Sequence, residues 1–214
     1  MSYVLPFEGM TMVSRQGWRA VRKDTGAVVG PDFGATHPDL IDWKWHNGTD
    51  WIREGGNTEG TQLRAGTRSR VLFSDRRGGV TPFGGYGNAL ILEHAPRVLS
   101  LYAHCLDVFP EVGAVVDAGA VVATVDRTSH PGVFVAGPHL HWELVTSWPL
   151  RSTDTHARYD VLGSLESDGW FLDGHGHLAR SGHPYRRPPA PVTSGGAGLI
   201  DLAILVAVAA RLTR

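Results

Sequence analysis

Between residues 46 and 145 the apolar residues come in short runs cut by glycine and polar turns, with no helical repeat convincing enough to interrupt them. The pattern predicts strands at Gln62–Leu63–Arg64 and Arg70–Val71–Leu72–Phe73 within "GTQLRAGTRSRVLFSD", separated by Gly66. A third runs from Ala89 to Leu92, after the glycine-rich loop of "GGYGNALILEH". "RVLSLYAHC" alternates into a strand ending at His104, and "VGAVVDAGAVVATVD" reads as two short β-branched strands joined by a tight turn. Strands at this spacing predict an all-β fold, a sheet or a sandwich.

The flanks pattern differently. Residues 1–40 alternate short apolar pieces with turn residues and read as an irregular lead-in to a core over 41–150. Residues 151–193 are polar and proline-rich, with "YDVLGSL" the one piece expected to pack. Over 194–214 a glycine hinge, "SGGAG", precedes the apolar "LIDLAILVAVAARLTR", expected to form a short helix that packs on protein. Asp201 interrupts that run, and it falls short of the ~20 apolar residues a bilayer span needs. No transmembrane span is predicted; contact with a membrane surface is the alternative for this segment.

Composition narrows the classes. Hydrophobic residues make up 42% of the chain, enough for a packed domain, and 27 glycines with 13 prolines fit a turn-rich β fold. With 20 basic and 21 acidic residues the chain lacks the positive surplus of a nucleic-acid binder. Cys105 is the only cysteine, so no intrachain disulfide forms; its apolar setting in "LYAHCLDVF" predicts a buried, inert thiol. "MSYVLPFEGM" has neither a basic nor an apolar signal region and does not read as a secretory leader.

The chemistry concentrates in histidines. In "GPHLHWEL", His139 and His141 are two apart, which on a strand puts both on one face. Two imidazoles on one face build a poor core, but one can hold a metal while the other moves a proton. "WHNGTDW" adds His46 and Asp50, so His46, Asp50 and His141 offer the three protein ligands of a catalytic zinc site, with His104 and His139 left free nearby. Zinc in such a site acidifies water and polarises a carbonyl. A free histidine beside it can take the water's proton and return it to a leaving amine, and a second can stabilise the developing negative charge.

In this order ("HNGTD", "GTQLRAGTRSRVLFS", "GGYGNALILEH", "LSLYAHC", "VGAVVDAGAVVATV", "GPHLHWEL") the chain resembles the M23 family of zinc metallopeptidases, the lysostaphin/LytM-type peptidoglycan endopeptidases, over about residues 46–145. The resemblance implies a compact antiparallel β-sheet fold with a loop-walled groove and one zinc ion. It implies that His46, Asp50 and His141 bind the zinc and that His104 and His139 are the catalytic histidines. Gln62 stands where the family commonly has proline, and the loops "DRRGGVTPFGGYG" and "HPGVFVA" depart from its usual pattern, which bears on specificity rather than catalysis.

Other residues carry plainer readings. Tyr86, Asn88 and Tyr102 are candidate substrate contacts, Tyr102 being equally readable as core. Trp43, Trp45 and Trp51 flank the first motif as core or groove residues, His94 reads as a strand end, and His175 and His177 as a solvated loop pair; nothing in the sequence ties His130 to the groove. No G-x-S-x-G elbow supports a serine hydrolase.

The expected activity is therefore zinc-dependent cleavage of peptidoglycan stems or cross-bridges. The expected setting is a phage tail or virion, docked on other tail proteins through residues 198–214, or otherwise the extracellular or periplasmic side of a cell wall. The alternatives are a structural tail or wall-binding protein without turnover, and an endolysin or bacterial wall-remodelling hydrolase.

Overall fold

Strand β8 (Asn88–Ala95) shows no apolar–polar alternation because the sheet is covered on both sides there. Leu90 and Leu92 pack into one buried cluster with Trp51, Tyr102 and Trp142, while Ala89 and Ile91 pack into another with Leu99, Leu101, Ala103 and Val145. A strand buried on both faces reads as a continuous apolar run.

The computed structural model describes residues 2–25, 27–29, 36–75, 85–129, 135–149, 158–159, 161, 170–172, 178–180 and 199–201. Among them, strands numbered in chain order begin with β1 (Ser2–Val4), β2 (Met10–Ser14), β3 (Gly17–Arg22), β4 (Ile41–His46) and β5 (Thr49–Arg53). They continue with β6 (Gln62–Arg64), β7 (Ser69–Ser74), β8, β9 (Val98–Val108), β10 (Val115–Val116), β11 (Val121–Val125) and β12 (Leu140–Val145). Four short ones follow, β13 (Arg158–Tyr159), β14 (Trp170–Leu172), β15 (Leu178–Arg180) and β16 (Leu199–Asp201).

The fold is all-β and antiparallel. One ten-stranded sheet runs β10-β7-β8-β9-β12-β5-β2, with β11 pairing both β6 and β9 and β13 pairing β12. Beside it β3 and β4 pair along their whole length, from Gly17 opposite His46 to Arg22 opposite Ile41. No helix among the described residues is long and apolar enough to cross a membrane.

Three expectations change in detail. The two strands of "VGAVVDAGAVVATVD" form but do not pair with each other: β10 joins β7, and β11 joins β6 and β9. The strand expected to end at His104 continues to Val108, turning through φ +60 at His104. Leu199–Asp201, read as the start of a helix, pairs with β1, whose backbone edge offers the hydrogen-bonding groups three residues need; residues 202–214 lie outside the described residues. From "YDVLGSL", Tyr159 lies in β13 and Val161 is fully buried in the core. His130, His175 and His177 also lie outside the described residues.

Candidate active site

Asp50 and His141 are cross-strand partners, so the register of β5 on β12 sets two functional side chains side by side. Alternation along β12 does the rest. Leu140, Trp142 and Leu144 enter the main core, leaving His141 and Glu143 on the opposite face. His46 closes β4 and reaches the same point across the link Asn47–Gly48. Gly48 is packed so tightly that a Cβ there would sit 2.5 Å from the Trp142 carbonyl and 2.8 Å from Glu143 Cγ. Only glycine lets that link press against β12.

The result is a buried triangle of ligand atoms. His46 Nε2 lies 3.1 Å from Asp50 Oδ1 and 3.1 Å from His141 Nδ1, and His141 Nδ1 lies 2.9 Å from Asp50 Oδ1. The surroundings fix which nitrogen carries each proton. His46 Nδ1 donates to the Arg15 carbonyl at 2.8 Å, and His141 Nε2 donates to Glu143 Oε1 at 2.9 Å. With both rings neutral, what faces inward is two bare imidazole nitrogens and a carboxylate oxygen, three converging acceptors that a cation satisfies.

Titration follows the same logic. Burial works against a charge on His141, yet Asp50 and Glu143 outweigh it and lift the imidazole to about 9. Burial would raise the Asp50 carboxyl, but His139, His141 and His46, all turned toward it, hold it well below the usual carboxylate range. His46 is lowered, chiefly by burial. Without an ion His141 therefore carries a second proton at Nδ1, against Asp50 Oδ1, and a metal ion would take that proton's place.

His139 and His104 stand beside the triangle. His139 Nδ1 donates to the Gly137 carbonyl at 2.8 Å and its Nε2 lies 3.5 Å from Asp50 Oδ1. His104 Nδ1 donates to the Thr128 carbonyl at 2.7 Å, and its ring centroid is 4.7 Å from that of His139. Burial, reinforced by His139 and His141, pushes His104 down to about 3, so it is neutral. Its position depends on the left-handed turn at φ +60. The pairing of β8 with β9 shifts register between Leu90–Tyr102 and Asn88–Cys105, a bulge that re-aims His104 away from the face Tyr102 occupies.

These groups line a groove of about 600 Å³. Tyr86 lines it, its hydroxyl donating to Glu143 Oε1 and accepting from Asn47 Nδ2 at 3.2 Å. Trp45 lines it too, with Val13 and Val28 beside it on an exposed apolar wall. The other candidate contacts are not brought to the groove. Tyr102 is fully buried in the core with its hydroxyl on the Arg64 carbonyl, and Asn88 is buried with its amide on the Leu106 carbonyl. Trp51 is core and Trp43 is exposed. Cys105 is fully buried, and burial pushes its thiol up, as an inert core cysteine requires.

Two residues of the site went unread in the sequence. Glu143 could have been found, because it sits two positions past His141 on the same strand. Arg19, whose Nη1 lies 3.3 Å from Asp50 Oδ2, could not, since nothing local ties residue 19 to residue 50.

The model of peptidase family M23 matches residues 44–153, just over half of the 214 residues. DD-carboxypeptidase/endopeptidase Mpg of Neisseria meningitidis serogroup B is 36% identical over 116 residues, 54% of this chain and 24% of that protein. Murein hydrolase activator NlpD of Salmonella typhimurium is 26% identical over 136 residues, 56% of this chain and 35% of that protein. The chain thus spans about a quarter to a third of the length of these curated relatives. Among solved structures, a mutant catalytic domain of the prophage-encoded M23 protein EnpA from Enterococcus faecalis superposes with a TM-score of 0.48 at 19% identity, covering 74% of this chain and 94% of that one.

Proposed function

Since the chain belongs to peptidase family M23, we propose that it is a zinc-dependent endopeptidase hydrolysing peptide stems or cross-bridges of bacterial peptidoglycan. Likeness to proteins named a DD-carboxypeptidase/endopeptidase and a murein hydrolase activator supports that substrate class.

The observation that carries the reading is the triangle of His46 Nε2, Asp50 Oδ1 and His141 Nδ1, with sides of 2.9 to 3.1 Å. Two imidazole nitrogens and a carboxylate oxygen brought together in one buried place are the donor set of a catalytic zinc site, so His46, Asp50 and His141 would hold the ion. When bound, zinc supplies Lewis acidity, polarising a peptide carbonyl and acidifying water.

The chain's own residues handle protons. His139 and His104 each commit Nδ1–H to a backbone carbonyl, so in the neutral form each presents Nε2 as an acceptor. His139, nearest Asp50, takes the proton of the attacking water at Nε2 and returns it to the departing amine. His104, neutral, accepts from the same water at its own Nε2 and so orients it for attack. With the ring centroids 4.7 Å apart, a proton on His139 disfavours one on His104, which stays the neutral acceptor. Tyr86 and the Trp45 wall border the peptide's path.

For deployment we propose docking on a phage tail through residues 198–214; the apolar composition of that segment supports it. Detection of the chain in purified virions tests this, and its presence only in soluble lysate contradicts it.

The activity is tested on purified peptidoglycan by released amino groups and fragment masses, with metal content measured in parallel. Wild type should cut a peptide bond. His139→Ala should keep zinc and lose turnover, and His46→Ala should lose zinc. A wild type that holds zinc but cuts no plausible wall is a binding or activating protein instead.

A further inference from the structure

Asp50 uses its two oxygens differently. Oδ1 faces His46, His141 and His139, whereas Oδ2 faces Arg19 Nη1 at 3.3 Å. The same Nη1 lies 3.3 Å from Ser14 Oγ, which is itself 3.3 Å from His46 Nδ1. The Arg15 carbonyl takes the His46 Nδ1 proton from the same stretch of chain. Two of the three ligand residues are therefore held by β2, β3 and the link between them, and none of these lies within residues 44–153. The pairing of Gly17 with His46 makes this possible, since Arg19, two residues on, leaves β3 from the same face that His46 occupies on β4.

Stability alone does not explain the arginine. Among the described residues its Nε is buried without a hydrogen-bond partner, a costly way to pack a guanidinium. Nor do the described residues of the groove supply a different acid for it: among them Asp50 is the only carboxylate and Arg19 the only arginine or lysine.

Resting on the zinc reading, we propose that Arg19 is a positioning residue for the metal centre. By occupying Oδ2 it restricts Asp50 to one ligating oxygen, and with Ser14 it ties that carboxylate to the orientation of His46. Groups that orient metal ligands from behind are typically worth about 10- to 100-fold in metal affinity.

The test uses the full chain. Zinc affinity is measured by chelator competition for wild type, Arg19→Met and Arg19→Lys, with folding checked by circular dichroism. Arg19→Met should bind zinc about 10- to 100-fold more weakly. Arg19→Lys, which keeps the charge but loses the fork, should fall between it and wild type. Cobalt(II) absorption gives a signature that a merely structural role would not move: with Oδ2 released to ligate, coordination rises and the visible bands of Arg19→Met weaken. Zinc affinity within about twofold of wild type in Arg19→Met, or an unchanged cobalt spectrum despite weaker binding, overturns the proposal. If Arg19→Met does not fold, Arg19→Lys decides, and wild-type affinity there overturns it. Wild type that binds no zinc is a separate outcome, ending the zinc reading and this inference with it.

Discussion

Glu143 Oε1 accepts the Nε2 proton of His141 at 2.9 Å and, on the same oxygen, the hydroxyl proton of Tyr86. A fully buried carboxylate thus decides which nitrogen of His141 faces the centre. Glu143→Gln keeps the acceptor and loses the charge, so zinc affinity should fall by up to about tenfold. Glu143→Leu also strands the buried His141 N–H, at about 1–3 kcal/mol, and should lose both zinc and thermal stability. Chelator competition and thermal melts check the order; equal affinity in all three proteins contradicts it.

Much of the fold was legible because it is written in short-range pattern. The central strands announced themselves as apolar runs, and the period of two in "HLHWEL" sorts Leu140, Trp142 and Leu144 from His141 and Glu143. What escaped depends on exceptions to that period or on distant pairing. Strict alternation would put Tyr102 and His104 on one face; the bulge at His104 separates them, and no glycine marks the left-handed turn. Arg19 meets Asp50 only because β3 lies along β4, a register that residues 1–40 do not advertise. Tyr86 reaches Glu143 from a loop, where spacing carries no directional information.

Gly48 offers a test of packing beneath the centre. A Cβ there would come within 2.5 Å of the Trp142 carbonyl, which is strand backbone, and within 3.0 Å of His141 Nε2. Neither can withdraw without disturbing β12, so Gly48→Ala should destabilise by about 1–3 kcal/mol. It should also weaken zinc binding, because His141 is one of the atoms displaced. Denaturant unfolding with and without zinc reads both effects, and a variant as stable as wild type with full zinc binding refutes the clash.

His94 predicts a pH effect away from the groove. Its Nδ1 lies 2.7 Å from Ser69 Oγ and its Nε2 2.6 Å from Ser100 Oγ, and burial pushes its pKa down to about 4. The unfolded chain takes a proton on this histidine below about 6.5, while the folded chain refuses it until about 4. Stability is therefore lost as pH falls through that window and is fully present above it. His94→Gln removes the titration, so its stability should decline less steeply between pH 6.5 and 4, by about 1–2 kcal/mol in total once the residue's partial exposure is allowed for. Unfolding curves at several pH values decide it; parallel declines would mean His94 titrates alike in both states.

Metal ligands and proton carriers should also part company by stability alone, without any substrate. Zinc that binds only the folded chain adds about 2.7 kcal/mol when present at 100 times its dissociation constant. For a chain of this size that raises the melting midpoint by roughly 5–10 °C. Asp50→Asn removes the only anionic member of the triangle and unpairs Arg19, so the zinc-dependent rise should disappear. His139→Ala leaves the triangle complete, because its Nε2 stands 3.5 Å from Asp50 Oδ1, outside the three converging atoms, and the rise should persist. Melts of the three proteins with zinc and with chelator make the comparison. If His139→Ala loses the rise while Asp50→Asn keeps it, the assignment of ligand and proton carrier is reversed.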